Sequence, residues 1–124
     1  MPVIRRLLLG AALAALGVLT HADPSAAQTL GTFRWQLLPL DETITLSVVQ
    51  QGQVFVLSGF DDSAGAGRVA TFGTAFFRPD GMIGMGLTTV FDGAAFHTSV
   101  IMDPVTLSGT WRDDGANAGT FVRK

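Results

Sequence analysis

Residues 107–121 read Leu-Ser-Gly-Thr-Trp-Arg-Asp-Asp-Gly-Ala-Asn-Ala-Gly-Thr-Phe, and their pattern decides the fold. A short β-like run ends in a large aromatic residue, an acidic Gly/Asn turn follows, and a second β-like run returns. Residues 57–72 repeat this order with Leu-Ser-Gly, two aspartates, a Gly/Ala turn and Thr-Phe. The repeat indicates that strands two to four and six to eight are copies of one three-strand unit. The alternative is that Leu-Ser-Gly recurs by chance in a β protein.

The N-terminal segment has the three parts of a secretory signal peptide. Two arginines give a basic start, residues 7–20 form an uncharged Leu/Ala/Gly run, and small residues follow. The run is too short for a membrane-spanning helix. We therefore predict a signal peptide over residues 1–27, cleaved after Ala27 or alternatively after Ala22, and a secreted or periplasmic protein.

Residues 28–124 are sufficient for a single domain with one core. They carry six basic and nine acidic side chains, and this net negative charge argues against a nucleic-acid partner. The chain has no cysteine, so an exported domain of this size must be stable without disulfide bonds. No second apolar segment is long enough for a membrane helix, and several of the β-like runs are too short for a membrane barrel. We predict a monomer with no membrane span.

Apolar and polar residues alternate with a period of two through almost all of residues 28–124. Phe33, Trp35 and Leu37 share one side of the first alternating run, and no window has a convincing helical period. Residues 61–67, rich in Gly and Ala, are predicted to form a loop. The predicted strands cover residues 32–37, 43–50, 53–60, 68–77, 82–91, 95–102, 105–112 and 119–123.

Eight short strands joined by short turns predict an all-β fold. The predicted architecture is a small eight-stranded antiparallel up-and-down barrel, and a two-sheet β-sandwich is the alternative. We favour the barrel because every connection is short enough for a hairpin. No long crossover is available for a Greek key.

An up-and-down order places turns one, three, five and seven at one end of the barrel, named here the odd end. The other turns and both termini lie at the even end. Seven of the nine acids in residues 28–124 fall at the odd end, and we predict an acidic rim that favours a cation or a basic partner surface. The alternative is that aspartate simply favours turns. The rim residues are Asp41, Glu42, Asp61, Asp62, Asp92, Asp113 and Asp114.

Residues that could carry chemistry are few. His97 is the one histidine in residues 28–124, so an ordinary zinc site is not available, and the paired aspartates lack EF-hand spacing. We therefore predict no metal, no cofactor and no catalytic residues. A catalytic pair of carboxylates would have to face a cleft, whereas these acids are expected in turns. The candidate ligand-binding residues are Trp35, His97 and Trp111, with burial in the core as the alternative for the two tryptophans.

Three segments resemble an uncharacterised family of small exported bacterial β proteins. Residues 30–37 (LGTFRWQL), residues 77–88 (FRPDGMIGMGLT), and LSGTWRD with the later GTF carry the resemblance, which covers nearly all of residues 28–124. The resemblance implies an exported β domain and brings no established activity. Gly-Thr-Trp with a returning Gly-Thr-Phe is also similar, at the level of fold alone, to avidin-like and calycin-like barrels.

The sequence thus predicts a non-enzymatic binding module for an unknown ligand or protein partner. A secreted inhibitor is one form of this function, because a small barrel offers rigid loops for docking. Two alternatives stay open. One is a structural, envelope-associated domain, and the other is a small secreted hydrolase that uses His97 with a nearby serine or carboxylate.

Overall fold

The computed structural model describes residues 26–63, 65 and 67–124. Over these residues the chain is all β and forms β1 (Gln28–Leu38), β2 (Glu42–Gln51), β3 (Val54–Ser63), β4 (Gly67–Phe77), β5 (Ile83–Phe91), β6 (Ala94–Met102), β7 (Gly109–Asp113) and β8 (Ala118–Arg123). Each strand pairs antiparallel with the next, and β8 pairs with β1, so the sheet closes. The predicted eight-stranded up-and-down barrel is confirmed.

The predictions for the N-terminal segment concern residues that the structure largely does not describe. The signal peptide predicted for residues 1–27 lies outside the described residues, apart from its last two positions. Within the described part of the chain, no helix is long and apolar enough to cross a membrane.

Strand alternation decides which side chains fill the barrel. Every second residue points inward, and Trp35, Leu37 and Phe121 show the result, because each is almost fully buried. Burial of a large apolar side chain stabilises the fold by about 1.5–3 kcal/mol. The remaining buried apolar residues are Ile44, Leu46, Val48, Phe55, Leu57, Ala75, Ile83, Met85, Leu87, Val100, Met102, Leu107 and Trp111.

Four inward-facing glycines allow the barrel wall to bend. A Cβ atom on Gly59 would collide with the carbonyl oxygen of Thr45, and one on Gly109 would collide with that of Ile101. The neighbouring strand therefore occupies the space that a side chain would need. Gly59 and Gly109 end the two Leu-Ser-Gly segments, so both copies of the sequence repeat place glycine in the same structural role. The other two glycines are Gly73 and Gly119.

β3 is longer than predicted. It runs to Ser63, and Asp61 and Asp62 pair with residues of β4 instead of starting a loop. The predicted loop over residues 61–67 is therefore wrong for its first three residues and for Gly67, which begins β4. This extension turns the side chain of Asp61 toward the barrel interior.

β7 is shorter than predicted and begins at Gly109, four residues late. The cause is the carboxylate of Asp103, whose Oδ1 accepts hydrogen bonds from the backbone N–H groups of Val105 (2.7 Å) and Thr106 (3.0 Å). These bonds hold the segment before Gly109 as a compact turn, since a side-chain acceptor competes with strand pairing.

Trp35 closes the even end. Its indole Nε1–H donates a hydrogen bond to the carbonyl oxygen of Leu107, in the β6–β7 loop, at 2.8 Å. Its ring stacks against Phe121 and Phe33, with centroid distances of 5.3 and 6.0 Å. The guanidinium group of Arg123 lies 4.9 Å from the ring centroid of Phe33 and covers this cluster. The interior is therefore packed at the even end.

Candidate ligand-binding pocket

The odd end of the barrel holds a pocket of about 200 Å³. Its inner wall includes Leu37 and Trp111, which are almost fully buried, whereas its lip includes Phe91 and Phe96, which are 42% and 47% exposed. An exposed aromatic pair beside a pocket offers apolar area to a ligand. The other apolar and hydroxyl residues of the lining are Leu40, Ser63, Val69, Thr89 and Thr98.

The pocket lies at this end because inward-facing side chains become smaller or polar toward it. On β3 the inward series begins with Phe55 and Leu57 and reaches Asp61 near the odd end. On β6 the inward series passes from Val100 to Thr98. These changes replace core volume by space and by groups that water can hydrate.

Asp61 and Glu42 form a pair of carboxyl groups inside the pocket. Glu42 lies opposite Ser63, two residues beyond Asp61, so both acids point inward from neighbouring strands. Asp61 is 7% exposed, and its Oδ1 accepts no hydrogen bond from an N–H or hydroxyl group of the described residues. Burial, a hydrogen bond with Glu42 and the negative charges of Glu42 and Asp62 raise the pKa of Asp61 to about 8. At neutral pH the pair therefore holds one proton between two carboxyl groups.

The expectation that the acids lie in turns and face no cleft is wrong for this pair. Asp61 lies within β3, and Glu42 is the first residue of β2. The sequence did contain a signal that Asp61 lies in a strand. Phe55, Leu57 and Asp61 are separated by even numbers of residues, so the alternation of inward and outward positions continues through Asp61. Two aspartates before a Gly/Ala segment are typical of a turn, and this local pattern favoured the loop interpretation.

The seven predicted rim acids all lie at the odd end, but their surroundings differ. Asp62 points outward and accepts two hydrogen bonds from Arg68, at 3.0 and 3.2 Å. Asp114 Oδ2 accepts a hydrogen bond from the backbone N–H of His97 at 3.3 Å. The exposed turn residues are Asp41 and Asp92. The acids that line the pocket are Glu42, Asp61 and Asp113.

Asp113 holds the β7–β8 turn. Its Oδ1 accepts hydrogen bonds from the backbone N–H groups of Gly115 and Asn117, both at 2.9 Å, and its Oδ2 accepts one from Asn117 Nδ2 at 3.1 Å. Burial raises the pKa of Asp113, but the hydrogen bonds from Asn117 and Gly115 outweigh burial and hold the pKa below its ordinary value. The charge of Asp113 is therefore engaged by the turn, unlike that of Asp61.

We expect Asp113→Ala to lower the free energy of unfolding by about 1 kcal/mol near neutral pH, because the turn N–H groups lose their acceptor. A depressed pKa means that the folded protein releases the proton more readily, so this stabilisation is present above the ordinary pKa and fades as pH falls. Urea unfolding of both proteins should show a smaller difference at about pH 3 than at about pH 7. Equal differences at the two pH values would contradict this role.

The three candidate ligand-binding residues are not brought together. Trp111 lines the pocket, and its indole Nε1–H donates to the carbonyl oxygen of Leu38 at 3.0 Å, which fixes the ring. Trp35 closes the even end instead. His97 lies exposed on the outer face of β6, with Nδ1 3.1 Å from Thr88 Oγ1.

The pocket is chemically suited to bind a ligand that brings hydrogen-bond donors. Asp61 and Glu42 project into the pocket from neighbouring strands, and the interaction with Glu42 is one cause of the raised pKa of Asp61. His97 points away from these acids. In the part of the chain that the structure describes, no group of three or more His, Asp or Glu side chains is arranged to hold a metal ion.

Comparisons with known protein families, with curated proteins and with solved structures found no match. The resemblances seen in the sequence therefore stay predictions. The pocket is the feature from which a function can be argued.

Proposed function

We propose that this protein is an exported, non-enzymatic binding module that takes a small ligand into the odd-end pocket. The observation that supports this most strongly is Asp61, a buried carboxyl group in the pocket with one oxygen that receives no donor. A buried acceptor without a donor costs about 1–3 kcal/mol. A ligand that supplies a donor recovers this free energy.

The size and lining of the pocket limit the size and the chemistry of the ligand. Its volume of about 200 Å³ is below the ~300–1,000 Å³ typical of pockets for drug-sized molecules. The ligand is therefore small, or it inserts only one end. Leu37, Leu40 and Val69 provide apolar wall, while Asp61 and Glu42 provide the polar groups, so an amphiphilic ligand with one polar end fits best.

A protein partner is the second candidate, because the outer face of β3 and β4 exposes Val54, Val56, Phe72 and Phe76. Apolar side chains that are grouped on a surface are typical of association sites. A purely structural envelope domain would leave the pocket without a ligand. A hydrolase centred on His97 has less support, because the ring lies on the outer face.

We expect the purified protein to bind at least one of three probes of similar size, namely hexylamine, hexanol and hexanoate. The chain has two tryptophans, so NMR of the indole N–H groups gives a reporter and an internal reference in one spectrum. A ligand in the pocket should shift the signal of Trp111, which lines it, more than that of Trp35, which closes the other end.

Thr98 and Ser99 provide a matched pair of variants on β6. Thr98 lines the pocket, whereas Ser99 is exposed on the outer face. We expect Thr98→Phe to fill the pocket and weaken binding by at least about tenfold, while Ser99→Phe leaves affinity unchanged. The proposed function is wrong if no probe shifts the Trp111 signal, or if Thr98→Phe binds as tightly as the wild type.

A further inference from the structure

The carboxyl pair specifies the charge of the ligand as well as its place. We propose that the pocket takes a primary organic ammonium ion with an apolar body, held by the carboxyl groups of Asp61 and Glu42. The inference rests on the proposed function, because it names the ligand class for the same pocket.

The geometry of the acceptors supports an ammonium group. Asp61 is more than nine-tenths buried, lines the pocket and has a buried Oδ1 that receives no hydrogen bond from an N–H or hydroxyl group of the described residues, and Glu42 lies beside it on β2. A primary ammonium ion has three N–H donors and no acceptor. Two neighbouring carboxylates offer acceptors only. The donors of the ion therefore match the acceptors of the pair.

The walls around the acids fit the rest of such a ligand. Phe91, Phe96 and Trp111 line the same pocket as the carboxyl groups. Aromatic faces attract cations by about 0.5–2 kcal/mol, and their area also contacts hydrocarbon. Leu37 and Leu40 extend the apolar wall. A small inorganic cation would use the acids but not these rings.

Binding is an exchange of one cation for another. Near neutral pH, Asp61 with its raised pKa keeps a proton beside Glu42, and the pair carries one negative charge before binding. The ammonium ion enters, the O–H bond breaks, and the proton leaves to water. The pair then carries two negative charges, the bound ion one positive charge, and the net charge of the site is unchanged. Affinity therefore rises with pH until the pair has lost its proton unaided.

The other charged groups of the surrounding strands do not offer an ammonium ion a second pair of free carboxyl groups inside the pocket. Asp62, next to Asp61 on β3, points outward to Arg68 of β4. Asp113 of β7 is engaged by its own turn, and His97 of β6 is on the outer face. The residues of β1, β4, β5 and β6 that line the pocket are uncharged. The remaining acids near the mouth are the turn residues Asp41, Asp92 and Asp114.

The test compares the three hexyl probes across pH at constant ionic strength, with the Trp111 indole signal as readout. Hexylamine stays charged over this range, because an alkyl ammonium titrates near ~10.4, as lysine does. We expect its affinity to rise at least about tenfold between about pH 6 and about pH 9, since Asp61 with a pKa of about 8 loses its competing proton. Hexanol affinity should stay constant, and hexanoate should bind most weakly. Calorimetry in buffers of different ionisation enthalpy should show proton release on hexylamine binding near neutral pH.

Two isosteric variants distinguish the effect of the carboxyl pair on binding from the effect of the overall negative charge of the rim. Asp61→Asn should weaken hexylamine binding by about tenfold and remove its pH dependence while hexanol still binds. Asp62→Asn removes the same charge one residue away, on the outer face, and should change neither. The inference is overturned if hexanol binds and hexylamine shows no preference or no pH dependence, and in that case the proposed function stands. If none of the three probes shifts the Trp111 signal, the proposed function fails as well.

Discussion

Replacing Asp61 by asparagine is expected to raise the free energy of unfolding by on the order of 3 kcal/mol above about pH 8. The pKa of Asp61 is raised from 3.8 to about 8, first by burial and then by Glu42 and Asp62. Between these values the folded protein keeps a proton that the unfolded chain has released, so the stability of the wild type falls as pH rises. Asparagine has nearly the same shape, cannot ionise, and can donate a hydrogen bond to Glu42. The full shift would correspond to a larger energy, but solvent reaches the pocket and screens the charges.

Urea unfolding at about pH 5, 7 and 9 measures this effect. The wild type should lose stability across the series, and Asp61→Asn should remove most of that loss. Asp62→Asn is the matched control, because its carboxylate lies in a solvent-exposed ion pair with Arg68 and should contribute far less. A wild type whose stability does not fall with pH, or an Asp61→Asn variant no more stable than the wild type at about pH 9, would contradict the expectation.

The two expected effects of Asp61→Asn have opposite signs. The variant gains stability and loses affinity for an ammonium ligand. A residue that weakens the fold while it improves binding is typical of a functional site, since packing alone would select an uncharged side chain there.

Replacing Gly73 by alanine is expected to lower the free energy of unfolding by about 3 kcal/mol or more. A Cβ atom on Gly73 would collide with the carbonyl oxygen of Gly86 on β5, and a backbone atom cannot move aside as a flexible side chain does. The strand pair must therefore separate or bend. Gly73 does not have a positive φ, so the expected loss of stability arises from this collision and not from backbone strain.

Gly86→Ala is the matched control for Gly73→Ala. A Cβ atom on Gly86 would meet nothing within 4 Å, and the residue is exposed on the outer face. We expect a change of no more than about 0.5 kcal/mol. Urea unfolding of the two variants beside the wild type tests the difference. Equal destabilisation by both substitutions would show that the close approach of β4 and β5 does not determine the loss of stability.

Much of the fold follows from the sequence, because the alternating pattern and the short turns leave little choice. Phe33, Trp35 and Leu37 were placed on one side of the first strand, and all three point inward. Closure was predicted from the connection lengths, with support from the three-strand repeat, and is confirmed. The limits of β3 and β7 were wrong, since they depend on hydrogen bonds that local composition does not reveal.

The site was harder to predict than the fold. Trp35 and Trp111 have the same local pattern, yet one closes the even end and the other lines the pocket, because their neighbours across the closed sheet differ. Asp61 and Asp62 are adjacent and chemically identical in sequence. Only the strand parity of β3 makes one an inward, buried acid and the other an outward partner of Arg68.

The indole of Trp35 closes the barrel at its even end, whereas the odd end holds the pocket. A molecule that entered the proposed pocket would have to leave by the same mouth, because Trp35 and Phe121 pack the interior toward the even end. The predicted acidic rim would speed the approach of cations to this mouth and slow that of anions. A ligand of the proposed pocket would therefore be selected by its association rate as well as by its affinity.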